Sequence, residues 1–169
     1  MQFKILNFKT LNSTNDKAIS LLKKKNTKPT IIICDFQKKG KGRYGKKWIT
    51  FKGNLFMSIF FETKKKFENK YFTQKNCLIV KDSLSKLIKG IKIKKPNDLL
   101  VKRKKICGIL QEFIRIDKKN YVIIGIGVNI KKSPNVPHYQ TGYIQEFTRK
   151  NVNKTIVYRL IKKNFEINY

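Results

Sequence analysis

The chain has few of the residues on which common catalytic centres depend. Its 169 residues include one histidine, His138, and three cysteines that are widely spaced. They offer neither the ligand spacing of a metal cluster nor a nucleophile paired with a histidine base. An odd number of cysteines without such spacing is typical of a reduced, cytoplasmic protein with buried thiols. The chain also lacks an apolar run of membrane-spanning length and the long apolar core of a signal peptide, so we expect a soluble protein without a membrane partner.

Acidic residues are scarce as well. Aspartate and glutamate number 10 against 40 lysines and arginines, which gives a formal charge of +30. Of these cations 35 are lysine and 5 are arginine, and the chain has a single alanine, Ala18. Lysine has A/T-rich codons, whereas alanine and most arginine codons are rich in G and C, so genome composition accounts for much of the charge. A protein that reads bases or phosphates is expected to favour arginine forks, and we therefore do not expect DNA as the partner.

The length and the hydrophobic pattern predict one α+β domain spanning residues 1–169. Strands are predicted near residues 3–8, 30–36, 47–50, 54–61, 91–95, 99–101, 105–116 and 121–130. Helices are predicted over residues 13–25, 69–89 and 152–165. This order indicates a mixed, mainly antiparallel sheet with helices packed on one side.

The stretch QKKGKGRYGKKW, from Gln37 to Trp48, combines three glycines, six cations and the chain's one tryptophan. Glycines let backbone N–H groups approach a ligand closely, and interleaved cations make such a loop an anion site. A solvated basic hairpin loop is the alternative interpretation. A dinucleotide fingerprint is excluded because a strand-like segment, not a helix, follows, and a P-loop is excluded because Lys47 replaces the required Ser or Thr.

Further cations lie at predicted strand ends: Lys94 before Pro96, and Lys105 after the second hairpin turn. Asn97 and Asp98 lie beside them. A cation-rich pocket with one carboxylate suits a reaction in which negative charge accumulates, such as acyl-adenylate formation from a carboxylic acid and ATP. Such a reaction depends on positioning and electrostatic stabilisation and needs no protein nucleophile.

Six segments, in order, resemble the catalytic domain of biotin–protein ligases. These are S-T-N at 13–15, Gln37 with GKGRYGKKW, G-N-L-x-x-S at 53–58, KKPND at 94–98, KICGILQE at 105–112 and GIGVNI at 125–130. The resemblance implies the biotin–lipoate ligase fold, which is similar to that of class II aminoacyl-tRNA synthetases. It also implies an enzyme that uses ATP and Mg²⁺ to form biotinyl-5′-AMP. The biotin would then pass to a lysine of the biotin carboxyl carrier protein of acetyl-CoA carboxylase.

The same resemblance implies roles for individual residues. Biotin would be bound by Ser13, Thr14, Asn15, Gln37, Gly40, Lys41, Gly42, Arg43, Lys105 and Gly108. The nucleotide would be bound by Lys94, Asn97, Asp98, Gly125, Gly127 and Asn129. Lys105 and Arg43 would be the catalytic residues, because they would neutralise the carboxylate and the phosphate as the bond forms. Ser13 or Thr14 can also serve as a helix N-cap.

Three residues depart from the family pattern: Lys41 replaces an arginine, Lys95 a tryptophan, and Cys107 a small residue. We also expect a catalytic domain alone, with no helix-turn-helix before Ser13 and no C-terminal β-barrel after Tyr169. One alternative is a lipoate ligase or octanoyltransferase of the same fold, although the R-R-x-x-G-G-G-type segment and the nearby His-Asp of those families are missing. A basic binding module and a degenerate, biotin-binding ligase are the others. A homodimer through sheet edges is possible for this family.

Overall fold

The computed structural model describes residues 1–64, 69–137 and 139–169. Its strands are β1 (Lys4–Leu11), β2 (Thr30–Gln37), β3 (Leu55–Thr63), β4 (Lys92–Lys94), β5 (Asp98–Val101), β6 (Lys104–Ile116) and β7 (Lys119–Val128). Its helices are α1 (Thr14–Lys23), α2 (Asn69–Ser85) and α3 (Lys154–Asn168). Among the described residues, no helix has both the length and the apolar character needed to span a membrane.

The strands form one seven-stranded sheet in the order β1-β2-β3-β7-β6-β5-β4. β1 and β2 are parallel and are connected through α1, and the other neighbouring pairs are antiparallel. Two tight turns join β5 to β6 and β6 to β7, at Lys102-Arg103 and Asp117-Lys118. All four of these residues have positive φ, as two-residue hairpin turns require if they are to match the twist of the strands. The prediction of a mixed, mainly antiparallel sheet is confirmed.

The prediction that the helices pack on one side of the sheet is wrong for α1. Ala18 and Leu22 of α1 pack against Ile32, Phe60 and Ile123 on one face. The other face of the sheet packs against α2 and α3, through residues such as Ile31, Met57, Ile124, Leu84 and Val157. The physical reason lies in β2 and β3, whose consecutive residues are nearly all apolar, so that both faces of the sheet need a cover.

Several predicted boundaries also change. Residues 47–50 are not a strand; Lys47 makes a single bridge to Lys41, and the backbone N–H of Trp48 donates to the Gly40 carbonyl at 2.9 Å. This segment folds back on the glycine loop instead of joining the sheet. Helix α2 ends at Ser85, four residues before the predicted end, and β1 continues to Leu11.

Candidate active site

A cavity of about 390 Å³ opens where β2 ends and where β6 and β7 pass beneath the glycine loop. The structure brings most of the predicted site residues to its wall. These are Ser13, Thr14, Asn15, Gln37, Lys41, Gly42, Arg43, Lys94, Asn97, Asp98, Lys105, Gly108, Gly125 and Gly127. Segments far apart in the chain converge here. The parallel strands β1 and β2 finish at the same end of the sheet, so the start of α1, which follows β1, lies near Gln37, the last residue of β2.

One end of the cavity is a network of buried polar side chains. The Thr14 backbone N–H and hydroxyl both lie within hydrogen-bonding distance of Gln37 Oε1, at 2.8 and 3.1 Å. Ser58 Oγ contacts Thr14 Oγ1 at 2.7 Å and the Asn15 side-chain oxygen. Asn15 Nδ2 donates to Glu112 Oε2 at 2.6 Å. Since buried polar groups are stable only when paired, this network orients the donors and acceptors at this end of the cavity.

Ser13 has a second role at the same place. Its side chain accepts from the Asp16 backbone N–H at 3.4 Å and so caps α1. The prediction that the S-T-N segment combines a helix cap with a place in the site is consistent with this geometry. Asp16, in the first turn, holds Lys41 of the glycine loop in an ion pair. The hydrogen bond to Asp16 raises the pKa of Lys41 above its usual value. The same contact attaches the glycine loop to the start of the helix.

Glycines form the floor of the cavity. A Cβ atom added at Gly125 would lie 2.5 Å from Asn15 Oδ1. Added at Gly108 or Gly127, it would lie 2.6 or 2.5 Å from the indole ring of Trp48. These strand glycines therefore make room for the polar network and for the tryptophan.

The glycine loop folds as a small turn of its own above this floor. The Gly42 N–H donates to the Lys46 carbonyl at 2.7 Å, and Tyr44 and Gly45 have φ values of 53° and 72°. Arg43 lies between the side chains of Asn97, 3.5 Å from its Oδ1, and Tyr44, 2.7 Å from its hydroxyl. The loop thereby places one guanidinium group over the cavity, next to the residues predicted to bind the nucleotide.

Lys105 is the central cation of the site. Its Nζ lies 2.8 Å from Asp98 Oδ1, 5.4 Å from the Trp48 ring centre and 5.5 Å from that of Tyr139. The Lys105 and Asp98 side chains are only 18% and 25% exposed. The carboxylate and the two aromatic faces hold the ammonium group in place, so Lys105 offers a positive charge at a fixed position in the middle of the cavity.

Two predicted site residues do not line the cavity. The Gly40 carbonyl accepts from Trp48, and a Cβ at Gly40 would meet the Trp48 carbonyl at 2.5 Å, so this glycine allows the loop to close on itself. Asn129 is buried, and its Nδ2 donates to the Gly142 carbonyl at 3.1 Å. It supports the segment that carries Tyr139 instead of facing the cavity.

Several residues of the site, among them Ser58, Glu112 and Tyr139, were not among those predicted to bind. Ser58 and Glu112 complete the polar network, and both belong to motifs quoted for the family resemblance, so the signal was available. Tyr139 had no such signal, because it lies in an irregular segment outside every motif. That segment reaches Lys105 through backbone hydrogen bonds: the Lys105 N–H donates to the Gln140 carbonyl at 2.9 Å.

None of the three cysteines lines the cavity. All three are buried and free, as predicted. Burial raises the pKa of the Cys34 and Cys77 thiols to about 12 and that of Cys107 well above its usual value. Thiols with raised pKa values are poor nucleophiles near neutral pH. His138, for which we expected no catalytic role, lies outside the described residues.

Comparisons with known proteins identify the family of this chain. The model of the Biotin/lipoate A/B protein ligase family matches residues 7–129. The bifunctional ligase/repressor BirA of Bacillus subtilis is 31% identical over 135 residues, which are 74% of this chain but 40% of that protein. The chain thus spans well under half the length of this curated relative.

Solved structures show the same fold. Biotin protein ligase from Aquifex aeolicus in complex with biotin and ATP matches with a TM-score of 0.83 and 27% identity, covering 98% of this chain and 69% of that one. The Leishmania major biotin protein ligase in complex with biotin matches with a TM-score of 0.84 and 23% identity, covering 95% and 71%. The α+β assignment is confirmed, and the chain belongs to the Biotin/lipoate A/B protein ligase family.

Proposed function

We propose that this protein is an ATP-dependent biotin–protein ligase. It would activate biotin as biotinyl-5′-AMP and transfer it to a lysine of the biotin carboxyl carrier protein of acetyl-CoA carboxylase. The observation that carries the proposal is the polar network at one end of the cavity, in which the buried side chains of Thr14, Asn15, Gln37 and Ser58 are joined to the partly buried Glu112. Relatives whose titles name biotin and ATP as bound molecules support the same substrates.

The polar network discriminates between the acids that members of this family could use. The ureido ring of biotin carries one carbonyl acceptor and two N–H donors, which need partners when they are buried. The dithiolane ring of lipoate and the alkyl chain of octanoate offer no such groups. The side chains of this network pair with one another but keep further donor and acceptor positions that water can fill. An apolar ring or chain would exclude that water without replacing its hydrogen bonds, at a cost of about 1–3 kcal/mol for each group left unpaired. The network therefore favours biotin.

The cations suit the activation step. An oxygen of the biotin carboxylate would attack the α-phosphorus of ATP, the bond to the β-phosphate oxygen would break, and pyrophosphate would leave with the bonding electrons. Negative charge must be brought together for this step, and Lys105 and Arg43 provide positive charge on two sides of the cavity. Preorganised charges of this kind lower the barrier without a protein nucleophile.

The nucleotide would lie against Lys94, Asn97 and Asp98. Asp98 is the one acidic side chain among the described residues that line the cavity. Mg²⁺ ordinarily binds through one or two carboxylates together with substrate phosphates, so Asp98 and the Asn97 amide oxygen fit a metal that arrives with ATP. The metal would supply further neutralisation of phosphate charge.

In the second step the neutral amine of the acceptor lysine would attack the carbonyl carbon of the adenylate. An amide bond forms, the carbonyl carbon–oxygen bond to the phosphate breaks, and AMP leaves with the bonding electrons while the amine gives up a proton. The small volume of the cavity and its opening beside the glycine loop are compatible with a side chain that reaches in from a second protein.

The test is transfer of labelled biotin to a purified carrier domain in the presence of ATP and Mg²⁺. We expect one label per carrier, and none on a carrier whose target lysine is changed to arginine. The Lys105→Ala variant of the ligase should transfer at less than about a hundredth of the rate, as expected for loss of one preorganised charge. ATP-dependent labelling at the same rate by that variant would refute the role of Lys105.

A further inference from the structure

Asn54, in the G-N-L-x-x-S motif, is a fully buried polar residue that does not line the cavity. It lies directly before β3 and follows Gly53, whose φ of 90° turns the chain into the sheet. The serine of the same motif, Ser58, belongs to the polar network of the cavity. The burial of Asn54 therefore needs an explanation of its own, because a buried amide is costly unless its polar atoms are paired.

The Asn54 side chain binds the backbone just beyond β7. Its Oδ1 accepts from the N–H groups of Ile130, Lys131 and Lys132, at 2.9, 3.0 and 3.3 Å. Its Nδ2 donates to the Lys132 carbonyl at 2.7 Å. Successive N–H groups that converge on one oxygen form a nest, which favours negative charge on that oxygen. Gly53 leaves room for this junction, since a Cβ added there would lie 3.1 Å from Lys131 Cγ.

The chain that leaves this junction returns to the start of β6. We call residues 133–137 and 139–141 the Tyr139 segment. At its end, the Lys105 N–H donates to the Gln140 carbonyl and the Gly142 N–H donates to the Lys105 carbonyl, both at 2.9 Å. The segment is thus held at one end by the Asn54 amide and at the other end by the backbone of β6.

Tyr139 lies on the side of the cavity that we assign to the nucleotide. Its ring centre is 5.5 Å from Lys105 Nζ, and the same Nζ lies 2.8 Å from Asp98 Oδ1. The polar network that we assign to biotin is built by other elements, namely α1, β2, β3 and β6. A change in the path of the Tyr139 segment should therefore affect the nucleotide more than biotin.

We propose that Asn54 is a positioning residue for the nucleotide, because its amide fixes the point from which the Tyr139 segment crosses to Lys105. This inference rests on the proposed function. An amide that binds four backbone groups at once restricts the junction to one arrangement. Tyr139 is then presented at a constant place over the cavity, and ATP meets a preformed wall that it does not have to order.

The experiment changes Asn54 and, as a matched control, a second buried asparagine. Asn54→Ala removes all four bonds, whereas Asn54→Asp keeps an acceptor for the three N–H groups. The control is Asn76→Ala. Asn76 is also fully buried, accepts from the Tyr169 hydroxyl at 2.8 Å and donates to Gln111 Oε1 at 3.1 Å, but it lies on α2. Asn54→Ser, which keeps one hydroxyl, takes the place of Asn54→Ala if that variant does not fold.

Three kinds of measurement are made on each variant. The first gives kcat and the KM for ATP in biotin-dependent ATP–pyrophosphate exchange. The second gives the equilibrium affinities for ATP and for biotin, each by calorimetry. The third is hydrogen exchange of the Lys105 and Gly142 amides, followed by NMR. The second and third do not need turnover, and the midpoint of thermal unfolding reports the stability of each variant.

Asn54→Ala should raise the KM for ATP and weaken ATP binding by about tenfold or more, because ATP must then order the Tyr139 segment. The affinity for biotin should change by less than about twofold, and the Lys105 and Gly142 amides should exchange faster. Asn54→Asp should bring ATP binding back to within about threefold of the unaltered chain, since the nest accepts a carboxylate. Asn76→Ala should lower the unfolding midpoint and leave the affinity for ATP unchanged.

A double-mutant cycle tests whether Asn54 acts through Tyr139. In a Tyr139→Ala background, Asn54→Ala should weaken ATP binding by less than about threefold, since the side chain that Asn54 helps to place is gone. Equal losses in both backgrounds would overturn the proposal, as would an unchanged affinity for ATP in Asn54→Ala. It would also be overturned by an equal loss of biotin affinity in Asn54→Ala, or by the same loss of ATP affinity in Asn76→Ala. Absence of exchange in an unaltered chain that binds ATP would instead overturn the proposed function, and the ATP affinities of the variants would still decide the role of Asn54.

Discussion

Replacing Gly125 by alanine should specifically disrupt the polar end of the cavity. The added Cβ would lie 2.5 Å from Asn15 Oδ1 and 3.1 Å from both Asn15 Cγ and Nδ2. The Asn15 amide cannot easily move away, because it is held by Ser58 and by Glu112, whose Oε2 accepts from Nδ2 at 2.6 Å. Overpacking of this kind costs about 1–3 kcal/mol, which corresponds to about 5- to 150-fold weaker binding of biotin.

The assay is an equilibrium titration with biotin, followed through the fluorescence of Trp48. This is the chain's one tryptophan, and its ring lies over Gly108 and Gly127 in the same cavity. Circular dichroism and the midpoint of thermal unfolding, measured in parallel, separate a local change in the site from a loss of folded protein.

A double-mutant cycle provides the matched control. Asn15→Ala alone should weaken biotin binding, because Ser58 and Glu112 lose their partner. In the Asn15→Ala background, Gly125→Ala should weaken biotin binding by less than about threefold, since the atoms that the new Cβ would meet are gone. An unchanged affinity in the single Gly125→Ala variant, or the same loss in both backgrounds, would refute the argument that this glycine makes room for Asn15.

Three further predictions follow from the site and from the buried thiols. Lys105→Arg should restore little of the activity lost in Lys105→Ala, because the larger guanidinium does not fit the space between Asp98 and two aromatic rings; adenylate formation in a rapid-quench assay measures this. Glu112→Ala should weaken biotin binding about 5- to 150-fold with little effect on the affinity for ATP, since it leaves the Asn15 amide without an acceptor. Burial raises the pKa of the cysteine thiols, so the folded state favours the neutral thiol more than the unfolded state does. The stability that results is fully present below the unfolded pKa of about 9 and is lost as the pH rises towards 12. Urea denaturation between pH 8 and 11 should therefore show a falling free energy of unfolding, and iodoacetamide should modify the native thiols much more slowly than the unfolded ones.

Much of the fold could be predicted where the local pattern and the tertiary packing agree. The apolar runs of β2 and β3, the hairpin of β5 and β6, and the capped helix after Ser13 all carry strong local signals, and all three are present in the structure. The convergence of Gln37, Lys105 and Gly125 on one cavity was expected because each belongs to a motif of the family.

The rest depends on contacts that no local pattern contains. Residues 47–50 have the composition of a strand, yet Trp48 packs on strand glycines and closes the loop instead. Asn129 ends a motif but is turned towards Gly142, since a buried amide takes whichever partner the fold provides. Tyr139 reaches Lys105 from an irregular segment whose path is determined by backbone bonds to β6.

The most direct test of the central claim is acid-dependent ATP–pyrophosphate exchange with the purified chain, with biotin, lipoate and octanoate compared at equal concentrations. The polar network predicts exchange with biotin and at least about tenfold less with either of the other acids, since each would leave buried groups unpaired. Exchange that is equal for the three acids, or that is faster with lipoate or octanoate, would contradict the assignment of the cavity to biotin.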